Sequence, residues 1–248
     1  MLKRFLLVLV LQLFFCVSTY ADIAGVKLGI AGWNHDPFGS IRYQGTEASL
    51  ESDLKINDDA EGFFWIAIEH PVPGLPNIKI MHTRLSNSGS GVLSTPFTFG
   101  GNTYNATENI NTDLKLDNTD LILYWELANN RAHFDLGINV KFVNAEARVE
   151  STTTSTIEQV DFKGAIPMLY ANLQLDLTKR ISIGAEGSFL SVGDHSISDY
   201  ALRLKYQSPA RVGFEVGYRR INLEFDDLDG VTSDLGFKGP YAAISFHF

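Results

Sequence analysis

What constrains this chain most is a period-two alternation of apolar and polar residues that recurs up to its last residue. Phe134, Leu136, Ile138, Val140 and Phe142 interleave with His133, Asp135, Gly137, Asn139 and Lys141. Leu169, Ala171, Leu173, Leu175 and Leu177 interleave with Tyr170, Asn172, Gln174 and Asp176, and Tyr200, Leu202, Leu204 and Tyr206 with Ala201, Arg203 and Lys205. Successive side chains of a strand point to opposite faces, so each segment carries one greasy face and one polar face. Gly, Asn, Asp and Pro separate the segments, and no stretch shows the stripe of an amphipathic helix. The chain is therefore predicted to be all-β.

The first residues set the compartment. Lys3 and Arg4 precede an apolar run from Phe5 to Val17, broken only by Gln12, and Thr19-Tyr20-Ala21 fits a cleavage site between Ala21 and Asp22. This is the pattern of a secretory signal peptide, with an apolar run too short for a membrane-spanning helix. The expected division is a signal peptide over 1–21 and one β domain over 22–248. The single cysteine, Cys16, leaves with the signal, which excludes disulfides and thiol catalysis from the mature protein. No later stretch approaches the roughly 20 apolar residues of a membrane helix, so a membrane would have to be entered as strands. The formal charge is −9, and losing Lys3 and Arg4 makes the chain more acidic still. That argues against nucleic acid, whose phosphates need a basic surface.

Ten strands are expected, over 23–34, 60–70, 77–99, 102–127, 131–149, 157–177, 180–192, 197–206, 210–225 and 235–248. Short connections at 70–77, 128–131, 178–180 and 207–210 alternate with longer or more polar ones at 35–60, 100–101, 150–156, 193–196 and 226–234. Short turns on one side and longer loops on the other are the asymmetry of a membrane barrel, and an even strand count puts both termini on the short-turn side. The predicted fold is a closed antiparallel up-and-down transmembrane β-barrel. Phe97 to Tyr104, centred on Gly100-Gly101, reads as a hairpin with a tight glycine turn. Its flanking strands exceed the about 9–11 residues needed to span, so the hairpin is expected to project beyond the membrane. A soluble secreted β-barrel is the minority alternative.

The final strand alternates Ala242, Ile244, Phe246 and Phe248 with Tyr241, Ala243, Ser245 and His247. A terminal aromatic with apolar residues at every second position resembles the assembly signal of outer-membrane barrels, assigned here to Phe246 and Phe248. The partners this implies are outer-membrane lipid and lipopolysaccharide and the barrel-assembly machinery; no oligomeric state can be read.

Glu69-His70-Pro71-Val72-Pro73-Gly74-Leu75-Pro76-Asn77, Thr98-Phe99-Gly100-Gly101, Ile166-Pro167-Met168-Leu169-Tyr170, Gly184-Ala185-Glu186-Gly187 and Gly239-Pro240-Tyr241 occur in that order. This series resembles a family of small Gram-negative outer-membrane β-barrel proteins marked by a Gly-Gly motif, over essentially the whole mature chain. The resemblance implies the outer-membrane location and the barrel; it implies no activity and no functional residues.

With the apolar face outward, the lumen is expected to collect Lys27, Glu69, Glu126, His133, Asp135, Lys141, Asp176, Glu186, Arg203, Lys205, Glu215 and Arg219. A barrel of about eight strands is filled by its side chains, so ten strands predict an ion-paired plug, with a narrow porin-like conduit as the sharper alternative. Trp33, Trp65, Trp125, Tyr124, Tyr170, Tyr200, Tyr206 and Tyr218 are assigned to aromatic girdles. A barrel enzyme would need Asp/His groups from the loops. His35-Asp36 and Asp194-His195 are the candidates, but no catalytic motif accompanies them, so no catalytic residue is assigned. The acidic groups Asp58, Asp59, Glu61 and Asp226, Asp227, Asp229, Asp234 lack calcium-loop spacing, and neither metal nor cofactor is assigned. The leading functional reading is a structural or surface-interaction barrel, ahead of a pore and of an enzyme acting on lipid or peptide.

Overall fold

A computed structural model describes residues 25–228 and 230–248; the expected signal peptide and the Ala21–Asp22 cleavage site lie outside the described residues. The strands are β1 (Gly25–Tyr43), β2 (Ala48–Ser49), β3 (Asp59–Glu69), β4 (Asn77–Thr83), β5 (Ser86–Val92), β6 (Phe97–Phe99), β7 (Asn102–Tyr104), β8 (Asn109–Asn129), β9 (Ala132–Ser151), β10 (Ile157–Asp176), β11 (Ile181–Val192), β12 (His195–Gln207), β13 (Val212–Leu228) and β14 (Val231–His247). Neighbours pair antiparallel in the order β14-β13-β12-β11-β10-β9-β8-β4-β3-β1, and β14 pairs back onto β1. The closing seam runs from Lys27↔His247 to Tyr43↔Val231. Because β4 and β5 both pair with β8, they share one position, and β2 is a short rider on β1. The wall is thus a closed barrel of ten strands.

Side-chain placement along the wall shows an inversion. Below, toward the end where β1 begins and β14 ends, the outward side chains are apolar: Phe134, Leu136, Ile138 and Phe142 are all exposed on β9. Above Phe142 the same outward face carries Asn144, Glu146, Arg148 and Glu150. The inward face changes in the opposite sense, from Asp135, Asn139 and Lys141 to Val143, Ala147 and Val149, all buried. No register shift accompanies the change on β9–β10, so it is written into the amino-acid order alone. On β13 the outward side passes from Phe214, Val216 and Tyr218 to Arg220, Asn222 and Glu224, while the inward side passes from Glu215 and Arg219 to Ile221 and Leu223. Burial of apolar surface drives both halves. The lower half turns its greasy face to hydrocarbon and its polar face to the lumen; the upper half is arranged like a barrel in water.

Several expectations are corrected here. The first strand continues through Tyr43, so 35–43 is wall and not loop. The expected strand over 77–99 is divided into β4, β5 and β6, and that over 102–127 into β7 and β8. In the polar segments, 226–228 and 231–234 are strand, as are His195 and Ser196, with Gly193 and Asp194 forming a tight turn. The extra chain on the upper side is taken up in tall strands, because an apolar inner face rewards extending them.

The Gly-Gly hairpin does not project. β6 and β7 fold back over the mouth as a lid, with Phe97, Phe99 and Tyr104 buried. Gly100 and Gly101 adopt φ of 60° and 79°, which lets their N–H groups donate to the carbonyls of Tyr43 (2.8 Å) and Gln44 (3.2 Å). The physical reason is the apolar alternation of the hairpin: projected into water, those three aromatics would lose their contacts.

Candidate functional site

The lumen is built in layers. At the lower end a polar vestibule of about 200 Å³ is lined by residues from every side of the wall, among them Lys27, Glu69, Glu126, His133, Asp135, Lys205 and Glu215. Lys27 pairs with Glu69 at 2.6 Å, and Glu69 accepts from the Tyr124 hydroxyl at 2.9 Å. Glu126 accepts from Asn129 at 3.1 Å, His133 meets Asp176 at 3.1 Å, and Asp135 accepts from Asn172 at 2.7 Å. Tyr241 donates to Glu215 at 2.6 Å. Glu186 is held between Lys79 and Arg203. Glycines make room for the large side chains: a Cβ at Gly29 would overlap Trp65, and one at Gly217 would overlap Tyr241.

Above the vestibule the charges interlock. Lys141 donates to Asp120 (2.9 Å), Asp199 (2.9 Å) and Asn118 (3.1 Å). Asp199 also receives a forked pair of hydrogen bonds from Arg219, Nε to Oδ1 at 2.9 Å and Nη2 to Oδ2 at 2.7 Å. The remaining Arg219 nitrogen donates to Thr83 at 3.0 Å. All four ionised groups are nearly inaccessible, and they come from four strands: β8, β9, β12 and β13. The guanidinium lies 5.0 Å from the Trp33 ring centroid and 4.8 Å from that of Phe63. Trp33, Phe237 and the fully buried His35 then form the floor of the upper half.

In the upper half the inward side chains enclose an apolar chamber of about 400 Å³, lined by Leu116, Val143, Phe162, Leu223, Leu235 and Phe237 among others. The lid closes its top. Thr46 and Thr98 exchange backbone and side-chain bonds at 3.0 and 2.9 Å, Asn102 donates to Glu158 at 2.7 Å, and the Tyr104 hydroxyl donates to the Val149 carbonyl at 3.2 Å. Burial, reinforced by the negative charges of Glu158 and Glu108, pushes the Tyr104 phenol up to about 12, so it remains a donor. Glu108 ties the turn below the lid to the wall. Its carboxylate accepts from Ser151 at 2.6 Å and from the backbone and side-chain nitrogens of Asn105 at 3.0 and 2.9 Å. These bonds, that of Ser151 first, hold its pKa below the ordinary value.

Lys27, Glu69, Glu126, His133, Asp135, Lys141, Glu186, Arg203, Lys205, Glu215 and Arg219 thus all line the lumen. The partners missed by sequence reading are Asp120, Asp199, Lys79 and the hydroxyls of Tyr124, Tyr170 and Tyr241. Parity signalled each one: Asp199 shares the inward side of its strand with Arg203 and Lys205. Trp33, Trp65, Tyr124 and Tyr170 are lumenal rather than girdle residues, because each lies on the inward parity of its strand. Trp125, Tyr200, Tyr206 and Tyr218 do face outward. The Asp/His candidates do not come together. His35 is buried in the floor, while Asp36 points out toward Lys238 at 3.6 Å. His195 sits at the rim, where its ring accepts from the Asp226 N–H at 3.3 Å.

No family model and no curated protein matches this chain. Solved structures do. The translocator domain of the autotransporter NalP from Neisseria meningitidis aligns over 100% of this chain and 95% of its own, with 8% identity and a TM-score of 0.50. Ail, the attachment invasion locus protein of Yersinia pestis, aligns over 92% of this chain and 100% of its own at 10% identity and a TM-score of 0.41. An outer membrane channel from Pseudomonas putida F1 aligns over 94% and 99% at 12% identity, with a TM-score of 0.41. Together with the exposed apolar band, the closed wall makes this an outer-membrane-type β-barrel protein. Short turns join the strands at the vestibule end, which is the periplasmic end in barrels of that class.

Proposed function

We propose that this protein is a non-conducting barrel of the Gram-negative outer membrane whose role is structural or surface-interacting and is carried by its outer half. One observation carries the reading: at membrane depth the lumen is filled by Lys141, Asp120, Asp199 and Arg219, each partnered and each stacked or bonded to the wall. Ions would have to displace a buried network whose disruption costs about 3–5 kcal/mol per broken pair. The signal-like first 21 residues support export with cleavage after Ala21. Phe246 and Phe248 on the outward side of the last strand support recognition by the assembly machinery. The lower apolar band supports contact with lipid, and the polar upper wall supports contact with the sugar layer of lipopolysaccharide. The test is single-channel recording in planar bilayers with protein of verified heat-modifiable mobility; stepwise currents from the wild-type chain would overturn the reading.

A narrow porin-like conduit is the second reading, favoured by the polar vestibule, which reaches from the periplasmic end up to Arg219. It requires the plug to rearrange, so it predicts current already in the wild type and more of it when the plug is weakened.

A further inference from the structure

The wall is incomplete in its upper half. β10 pairs with β11 from Asp176↔Ser182 to Leu169↔Phe189 and no further. Residues 157–168 pair only with β9. Across from them, β11 and β12 turn back at Val192↔His195, and β12 follows β13 only as far as Ser196↔Glu224. A notch therefore separates the β10 edge from β11, β12 and the top of β13. Pro167 stands at its base with no N–H to offer a neighbouring strand. Leu169 and Phe189, on the outward side of that base, are 68% and 52% exposed. The first charged outward residue of β10 above Leu169 is Lys163. The base of the notch thus lies at the edge of the hydrocarbon, and Phe162 and Ile166 beside it line the apolar chamber.

We propose that the chamber binds an uncharged molecule built on a single hydrocarbon chain, which passes sideways through the notch between β10 and β11. The proposal deepens the surface role above; it uses the plug only as the chamber's floor. Size limits the ligand: about 400 Å³ lies at the low end of the about 300–1,000 Å³ of small-molecule sites, which suits one chain better than a two-chain lipid. Charge limits its head. Among the described charged residues at the chamber's edge, Lys115 points outward and pairs with Glu146 at 3.0 Å, and Asp161 points outward and accepts from Gln159 at 3.1 Å, so no charge stands ready inside for a charged head. Access is limited to the side, because the lid closes the top and the plug the bottom.

The test uses the folded barrel in phosphatidylcholine nanodiscs and a diazirine-bearing hexadecanol, either preloaded in the bilayer or delivered from water on cyclodextrin. After photolysis, adducts are mapped by mass spectrometry. Adducts on Leu116, Val143, Phe162 or Leu235 are expected, lost on Ala145→Trp or, should that variant not fold, on Ala147→Phe. Adducts confined to lipid-facing side chains such as Leu202 would overturn the site. An Ala165→Cys/Ser191→Cys barrel, bridged by a bis-maleimide across two exposed outward positions, tests the notch. Chamber labelling from the bilayer should fall about tenfold or more on bridging. An unchanged rate, or faster labelling from water than from the bilayer, overturns lateral access. Neither result bears on conductance, so failure here and failure of the non-conducting reading are read separately.

Discussion

Arg219 on β13 holds Asp199 on β12 through two parallel hydrogen bonds of 2.9 and 2.7 Å, and the same carboxylate takes a third from Lys141 at 2.9 Å. Removing one partner leaves a buried charge uncompensated. Asp199→Ala is expected to cost about 3–5 kcal/mol in urea unfolding from lipid vesicles. Double substitution of Asp199 and Arg219 should cost less than the sum of the singles, because the stranded charge is gone. Additive losses would contradict a coupled plug. If any variant conducts, it should be Arg219→Ala, which shortens the side chain stacked between Trp33 and Phe63.

The inversion along β9 sets a sharp contrast between two outward positions six residues apart. Ile138, 49% exposed, lies in the apolar band, and Asn144 lies above it. Ile138→Arg should lose about 2–4 kcal/mol, the usual cost of a cation on the lipid face near mid-depth. Asn144→Arg should stay within about 0.5 kcal/mol of wild type, as an ordinary surface change. Equal losses would place the membrane boundary elsewhere.

Acid should loosen the lid. The Glu108 carboxylate has a folded pKa below its ordinary 4.5, so the stability it confers is complete above that value and is lost as pH falls through the lower folded one. Hydrogen exchange across 93–107 should therefore accelerate, relative to the lower wall, as the pH drops below 4.5. Glu108→Gln should exchange fast already at neutral pH and lose this dependence. Persistence of the acid response in the variant would assign it to another group.

Gly100 sits at φ 60°, and a Cβ there would overlap the Glu158 side chain. Gly100→Val should destabilise the lid by about 1–2 kcal/mol, because a β-branched residue resists this backbone region. The readout is protease sensitivity of the 93–107 segment with the lower barrel intact. A variant as resistant as wild type would mean that the turn relaxes without opening.

Phe248 exchanges backbone bonds with Val26, donating at 2.9 Å and accepting at 3.4 Å. Deleting it removes the last rung of the closing seam and one outward aromatic. The heat-modifiable fraction recovered from membranes should fall, while the protein that does fold keeps near-wild-type unfolding. An unchanged yield would separate Phe248 from assembly.

The parts legible in the sequence are those where one solvent dominates. Alternation around Phe134–Phe142 and Leu169–Leu177 located lipid-facing strands, because hydrocarbon demands apolar residues at every outward position. Parity then placed Lys141, Glu186 and Arg219 inside. Reading failed where the roles of the two faces exchange. Leu114, Leu116, Val143 and Ala147 carry an apolar alternation of the same kind, yet they are the inner lining of a water-surrounded wall. Trp33 and His35 look in sequence like a strand end and a loop, because the exchange of apolar and polar faces at Gly32–Asn34 mimics a boundary. The folded-back hairpin depends on contacts between Tyr43, Gly100 and Glu158, distant in the chain and silent in local pattern. The premature end of β11 likewise rests on pairing rather than on composition.

The polar coat of the upper wall also dictates an order of events. Asp113, Lys115, Asp117, Glu146, Arg148 and Glu224 all point away from the barrel axis above the apolar band. Carried through hydrocarbon on a finished cylinder, each would meet a barrier of about 2.5–3.5 kcal/mol at mid-bilayer if it remained ionised. Hairpins must therefore deliver this half to the far side while a sheltered polar path is still open. The rung-by-rung zipping of Lys27↔His247 to Tyr43↔Val231 can then be only the concluding act of biogenesis.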